Sequence, residues 1–192
     1  MHPLDGLTPE QYIFQLSRVR RLKDEFFATA PESPMPDDLQ GDAFAGLRYY
    51  PPDLAYRVEA DLVPFDAPEV VMLGTTQGDI RPQLRFGELR FTLIGQDARL
   101  LAFKDATDPT AEELFVPFRD TTSGGETYGA GRYIEVEDPG SPDEPHKVVV
   151  DFNSAYNPWC AYNIAYSCVL PPAENTLALP IMAGELIFPH EH

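Results

Sequence analysis

The spacing of hydrophobic positions changes once along this chain. Over residues 13–26 they recur every three or four residues, through Ile13, Leu16, Val19 (or Arg20), Leu22 (or Lys23) and Phe26. That spacing predicts one face of a helix. Thr8 can cap it, Pro9 suits the first helical position, and Gln11 completes a capping box. The helix should stop near Ala30, because Pro31, Pro34 and Pro36 then favour an extended connection. Arg18, Arg20, Arg21 and Lys23 cluster in its middle. They read as a solvated or salt-bridged face, ahead of a site for an anion.

After residue 55 the period becomes two. Tyr56, Val58, Ala60 and Leu62 alternate with Arg57, Glu59 and Asp61, and Leu89, Phe91 and Leu93 alternate with Arg90 and Thr92. Short apolar runs at 70–73, 80–86, 100–103, 114–118, 132–136, 147–152, 176–181 and 186–188 complete the pattern. Turn residues separate them, and the proline-rich acidic stretch 138–145 reads as a hairpin tip in solvent. Eight or nine short strands with one helix predict a mainly β protein. The expected form is a single antiparallel β-barrel or sandwich-like domain with an N-terminal α-helix. Residues 1–40 would be helix and extended arm, and 41–192 the β-rich domain. Residues 44–52, FAGLRYYPP, are expected to pack across one end of the core.

The stretch 151–175, DFNSAYNPWCAYNIAYSCVLPPAEN, fits neither period. It holds both cysteines and the only tryptophan. Its aromatics argue against disorder and its prolines against regular pairing. It should wrap against the barrel with Tyr156, Trp159 and Tyr162 largely buried. Asn153, Asn157, Asn163 and Asn175 would then satisfy stray backbone groups.

Charge narrows the function classes. The net charge is −17, spread along the chain, with lysine only at positions 23, 104 and 147. That charge argues against direct binding to nucleic acid or an anionic membrane, since both need a basic patch. Spread acidity with scarce lysine points to a salt-rich cytoplasm. The opening MHPLDGLTPEQ has neither a basic n-region nor an apolar h-region, so the chain reads as cytoplasmic and its cysteines as thiols.

Cys160 and Cys168 have seven residues between them, a poor match to paired zinc ligands. In a strand they would be ~26 Å apart at 3.3 Å per residue, and in a helix ~12 Å apart. A bridge or shared metal needs the chain to double back near Tyr162, Asn163 and Ile164; otherwise the two are small buried hydrophobes. Of the histidines, His2, His190 and His192 are terminal and only His146 lies in the body. No nucleophile elbow, zinc-protease, phosphate-loop or dinucleotide motif occurs. The run FRDTTSGGETYGAGRY, residues 118–133, gathers arginine, aspartate and tyrosine at strand ends. With Asp151, Phe152 and Asn153 it could line a pocket at a barrel mouth or form a buried hydrogen-bond network.

That run resembles one signature of the prokaryotic family called domain of unknown function 1684. Residues 151–175, followed by IMAGE at 181–185, resemble its other signature. Trp159 and Val169 stand where the family's pattern has proline. The resemblance implies no activity, but it implies that the two motifs act as a unit. On that basis Arg119, Tyr128, Arg132, Asp151, Asn153, Tyr156, Asn157, Cys160 and Cys168 are the candidate ligand-binding residues. Arg119 and Arg132 should face the 151–175 stretch, and Asp151 should pair with one of them. The first functional expectation is binding of a small anionic ligand between the two motifs. The alternatives are an enzyme, hydrolase or thiol-dependent, using Cys160, and a structural or protein-interaction module. No cofactor is indicated, and an exposed sheet edge would suit a homodimer.

Overall fold

The structure, a computed structural model, describes residues 6–138, 140 and 144–189. His2, His190 and His192 lie outside the described residues. Helix α1 (Pro9–Thr29) opens with the expected capping box: Gln11 N donates to Thr8 Oγ1 at 3.3 Å, and Thr8 N donates to Gln11 Oε1 at 2.9 Å. Its buried face differs from the predicted stripe. Tyr12, Leu16 and Phe27 are buried, while Ile13, Val19, Leu22 and Phe26 are exposed. Positions 12, 16, 20, 23 and 27 form the inward stripe, so two of its members are cations. The Arg20 guanidinium donates to the carbonyls of Tyr50 and Asn153, and Lys23 pairs with the buried Glu185 at 2.8 Å. The basic cluster therefore splits: Arg20 and Lys23 face inward, and Arg21 stays on the surface near Glu25.

Among the described residues six antiparallel strands follow: β1 (Arg57–Gly74), β2 (Ile80–Leu93), β3 (Gln96–Asp105), β4 (Glu113–Phe118), β5 (Arg132–Glu137) and β6 (His146–Asp151). They form one curled half-barrel sheet in the order β5-β4-β3-β2-β1-β6. The strands are fewer and longer than the sequence pattern suggests. Pro64 and Pro68 look like breaks, yet β1 runs through both, with a register shift between Pro64 and Glu69. Strand β6 pairs β1 only over Arg57–Leu62, so these prolines sit where no β6 partner needs their missing N–H. Gly87 faces this irregularity. A Cβ there would meet Val63 O at 2.7 Å, so only glycine admits so close an approach.

Strands β5 and β6 are opposite edges of the sheet and do not pair with one another, so they do not form the expected hairpin. Asp138, just after β5, is buried against Lys104 and His146 rather than solvated. Pro139 and residues 141–143 lie outside the described residues.

The core fills the concave side of the sheet. Leu62, Leu89, Leu100, Leu114, Ile134 and Val150 are fully buried there, around the rings of Phe91, Phe118 and Phe152. Residues 176–181, expected as a strand, are an extended plug: Leu177, Leu179 and Ile181 complete this core from the open side. Asn175 starts the plug by spanning β3 and β4 where their ladder ends. Its side chain accepts from Leu101 N at 2.7 Å and donates to the carbonyls of Leu101 and Pro117. In residues 44–52 Leu47 and Tyr50 are buried, but Leu47 packs beside Phe27, Met35 and Tyr162 in a second cluster, separate from the sheet core that the stretch was expected to cover. Among the described residues no helix is long and apolar enough to cross a membrane.

Candidate functional site

The 151–175 stretch wraps the sheet through three single 3-10 turns. It closes the β5 edge: Tyr133 N donates to Tyr156 O at 2.9 Å and Tyr156 N donates back at 3.0 Å. All four asparagines serve backbone groups as anticipated. Asn153 clamps the N–H and carbonyl of Asp53, Asn157 donates to Leu186 O, Asn163 accepts from Ala165 N, and Asn175 bridges β3 and β4. Tyr162 is buried completely, but Tyr156 is only half-buried and Trp159 is 43% exposed. The expected burial of Trp159 is therefore corrected. Its ring stands edge-on to Tyr166 at 5.1 Å and faces an open cleft.

That cleft, about 1160 Å³ of open space, lies where the stretch meets the ends of β2, β3 and β5. Its wall is aromatic: Phe115, Tyr133 and Tyr156 form a chain of edge-to-face contacts, and Trp159 with Tyr166 forms a second pair. Hydrogen bonds fix two of these rings. Tyr133 donates to Val169 O at 2.6 Å and Tyr156 to Glu135. Burial raises the phenol pKa of both, so they stay neutral donors. The polar lining residues include Arg81, Asp105 and Cys168. Asp105 is occupied by the N–H and hydroxyl of Thr107, whereas Arg81 forms no ion pair with a described residue.

Behind Cys168 lies Cys160. The chain doubles back between them, as a shared role requires: Asn163 N bonds Trp159 O and Tyr166 N bonds Asn163 O. Cys160 N then donates to Cys168 Sγ at 3.2 Å. The Cys168 thiol is the main influence drawing the Cys160 thiol down to about 6. Burial opposes this, and the hydroxyls of Tyr128 and Thr76 reinforce it. Cys168 is raised in turn, because Cys160 holds its proton in place and burial adds to this. The β1–β2 turn backs the pair, with Thr76 bonded to both the N–H and the carbonyl of Cys168.

The nine sequence candidates thus separate. Tyr156 and Cys168 line the cleft, with Cys160 and Tyr128 behind it. Arg119, Arg132, Asp151, Asn153 and Asn157 sit in polar networks away from the cleft wall. The expected pairing of Asp151 with Arg119 or Arg132 is overturned. Asp151 lies within 3.6 Å of Arg57 and accepts from Tyr12, while Arg132, wholly buried, pairs with Asp120 at 3.0 Å. Arg132 also donates to the carbonyls of Ile181, Ala183 and Glu185, and so holds the plug. Arg119 donates to Ala130 O and pairs its backbone with residues 175 and 177. Buried Glu185 gathers Lys23, Asn157 N and the Tyr162 hydroxyl. His146 engages both ring nitrogens, one on Asp138 and one on Glu144 O. Among the described residues no group of three or more His, Cys, Asp or Glu is placed to hold a metal ion.

Sequence reasoning missed Arg81, Phe115 and Tyr166 as cleft residues. Tyr166 lies inside the stretch singled out, and its aromatic neighbours were the available signal. Arg81 and Phe115 come from separate strands, and only the curl of the sheet brings them together.

No curated protein matches this chain. An uncharacterized protein of Haloarcula marismortui, solved in solution by NMR, is similar at 41% identity over 92% of this chain and 95% of its own, with a TM-score of 0.72. The family model described as protein of unknown function (DUF1684) matches residues 42–186, which hold the plug and both cysteines, and the chain belongs to that family.

Proposed function

We propose that the protein binds a small organic anion with a planar ring in the cleft between the β2–β3 end of the sheet and the 151–175 stretch. The observation that carries this reading is the wall of five aromatic rings with Arg81 in the same lining. Flat apolar walls sandwich a ring, and a guanidinium beside them fixes a carboxylate through paired N–H donors. The exposed indole of Trp159 fits the same reading, since its ring is part of the cleft lining. The spread acidic surface supports a salt-rich cytoplasm as the setting.

Trp159 is the chain's only tryptophan, so its emission reports on the cleft directly. Titration with benzoate and 4-hydroxybenzoate should give a saturable change that neutral benzamide does not match. Arg81→Ala should weaken it and Tyr166→Ala should abolish it. Native mass spectrometry of freshly purified protein should show a retained small molecule. No saturable change with any carboxylate, together with a bare mass, would reject the reading.

A further inference from the structure

We propose that Cys160 and Cys168 form a working dithiol that exchanges with low-molecular-weight disulfides, Cys168 attacking and Cys160 resolving. The division of labour follows from exposure. Cys168 is half-buried and its side of the chain forms part of the cleft wall, whereas Cys160 is 4% exposed and lies behind it. The 3.2 Å approach of Cys160 N to Cys168 Sγ places that sulfur against the Cys160 residue. Two groups point to reactivity rather than simple packing. Tyr128 holds its hydroxyl 3.7 Å from Cys160 Sγ and 3.5 Å from Cys160 O, and Arg81 lines the same cleft as Cys168. The hydroxyl stabilises the Cys160 thiolate that takes the Cys168 proton, and a guanidinium beside the cleft favours negative charge on sulfur. Buried cysteines that serve only as small hydrophobes have no use for either.

The exchange balances in two steps. In the first, the Cys168 thiol passes its proton to the Cys160 thiolate and its sulfur attacks one sulfur of the disulfide RSSR. A Cys168–SR bond forms, the S–S bond of the reagent breaks, and RS⁻ leaves. In the second, Cys160 gives its proton to that RS⁻ and attacks Cys168 Sγ. The Cys160–Cys168 bond forms and a second RS⁻ leaves. The dithiol is oxidised and the small disulfide is reduced to one RSH and one RS⁻. The step needs the cleft to be open but does not rest on its binding an organic anion.

The test uses an uncharged reagent, bis(2-hydroxyethyl) disulfide, for which Arg81 offers no carboxylate contact. Success or failure here is therefore separate from the fluorescence titration. Wild-type protein at neutral pH should end two hydrogens lighter by intact mass, with no adduct. Cys160→Ser should accumulate a single adduct, mapped to Cys168, and Cys168→Ser should remain unmodified over the same time. Two adducts on the wild type, no reaction, or equally fast modification of Cys160 in Cys168→Ser would overturn the proposal. Should either variant fail to fold, wild type in buffer is compared with wild type in urea. Faster bridging in the native state supports the dithiol, and equal or slower bridging rejects it.

Discussion

The hydroxyl of Tyr12 reaches both carboxylate oxygens of Asp151, at 3.0 and 2.9 Å, and so joins the N-terminal helix to the end of β6 across 139 residues of chain. Asp151 is 4% exposed, and Arg57 and the N–H of Asn153 complete its surroundings. Burial, then the adjoining carboxylate, raises the Tyr12 pKa, so the phenol keeps its proton. With Arg20 on two carbonyls and Lys23 on Glu185, the helix is anchored by polar ties set along a narrow apolar seam.

Tyr12→Phe keeps the ring and removes only the donor. A hydrogen bond to a charged partner contributes about 1.5–3 kcal/mol. Urea unfolding of this variant should show a loss in that range with an unchanged m-value. A loss near zero would mean that Arg57 and Asn153 satisfy Asp151 unaided.

Asp120→Ala tests the deepest ion pair. Arg132 is fully buried and Asp120 is its charged partner. Removing one member of a buried pair costs about 3–5 kcal/mol, because the other charge is left uncompensated. Asp120 also accepts from Ile181 N, so the plug should loosen as well. Hydrogen exchange at residues 177–185 should quicken before the sheet amides do. Uniform acceleration would show that plug and sheet open as one unit.

The sequence made the helix start legible because a capping box is a local code, complete within residues 8–11. It made β1 and β2 half legible. Alternation marks their ordinary stretches, but Pro64, Pro68 and Gly87 look like breaks until pairing shows that the irregularities face each other. The helix face was misread because hydrophobicity was equated with burial. Arg20 and Lys23 take inward positions since carbonyls and Glu185 wait there, a fact held by residues 30 to more than 160 positions away. The site shows the same division. Composition singled out 151–175, and its asparagines behave as their chemistry requires. The arginine partners were misassigned because charge pairing depends on which strands curl together.

The thiol pair gives stability a distinct pH signature. In the folded chain the Cys160 thiol is lowered to about 6, chiefly by Cys168, against an ordinary value of 9.0. Between these values the unfolded chain holds more protons, so stability rises with pH there and is lost as pH falls through about 6. Above 9.0 the raised Cys168 thiol reverses the sign, because the folded chain then keeps the extra proton. The stability of wild type minus that of a Cys160→Ala/Cys168→Ala double variant should climb between pH 6 and 9 and decline beyond. Denaturant midpoints across that range measure it, and a flat difference would contradict a coupled pair.

Salt separates surface from interior electrostatics. The chain carries −17, with 31 acidic residues spread from end to end and 14 basic residues against them, only three of these lysines. Two of those lysines, Lys23 and Lys104, already serve inner partners, Glu185 and Asp138. Arginines and Lys147 pair some surface carboxylates, such as Glu69, Glu88 and Asp61, but the excess is left to repel, and folding brings it closer together. Screening shortens from about 10 Å at 0.1 M to about 3 Å at 1 M salt, which removes most of that repulsion. The buried pairs Arg132–Asp120 and Lys104–Asp138 are shielded from solvent ions and should keep their contribution. The melting temperature should therefore rise from dilute to molar potassium chloride, and the Asp120→Ala penalty should stay nearly constant across the series. A melting temperature that is flat or falls would show that surface repulsion is not what limits this fold. A penalty that shrinks with salt would place the Asp120 pair within reach of solvent ions.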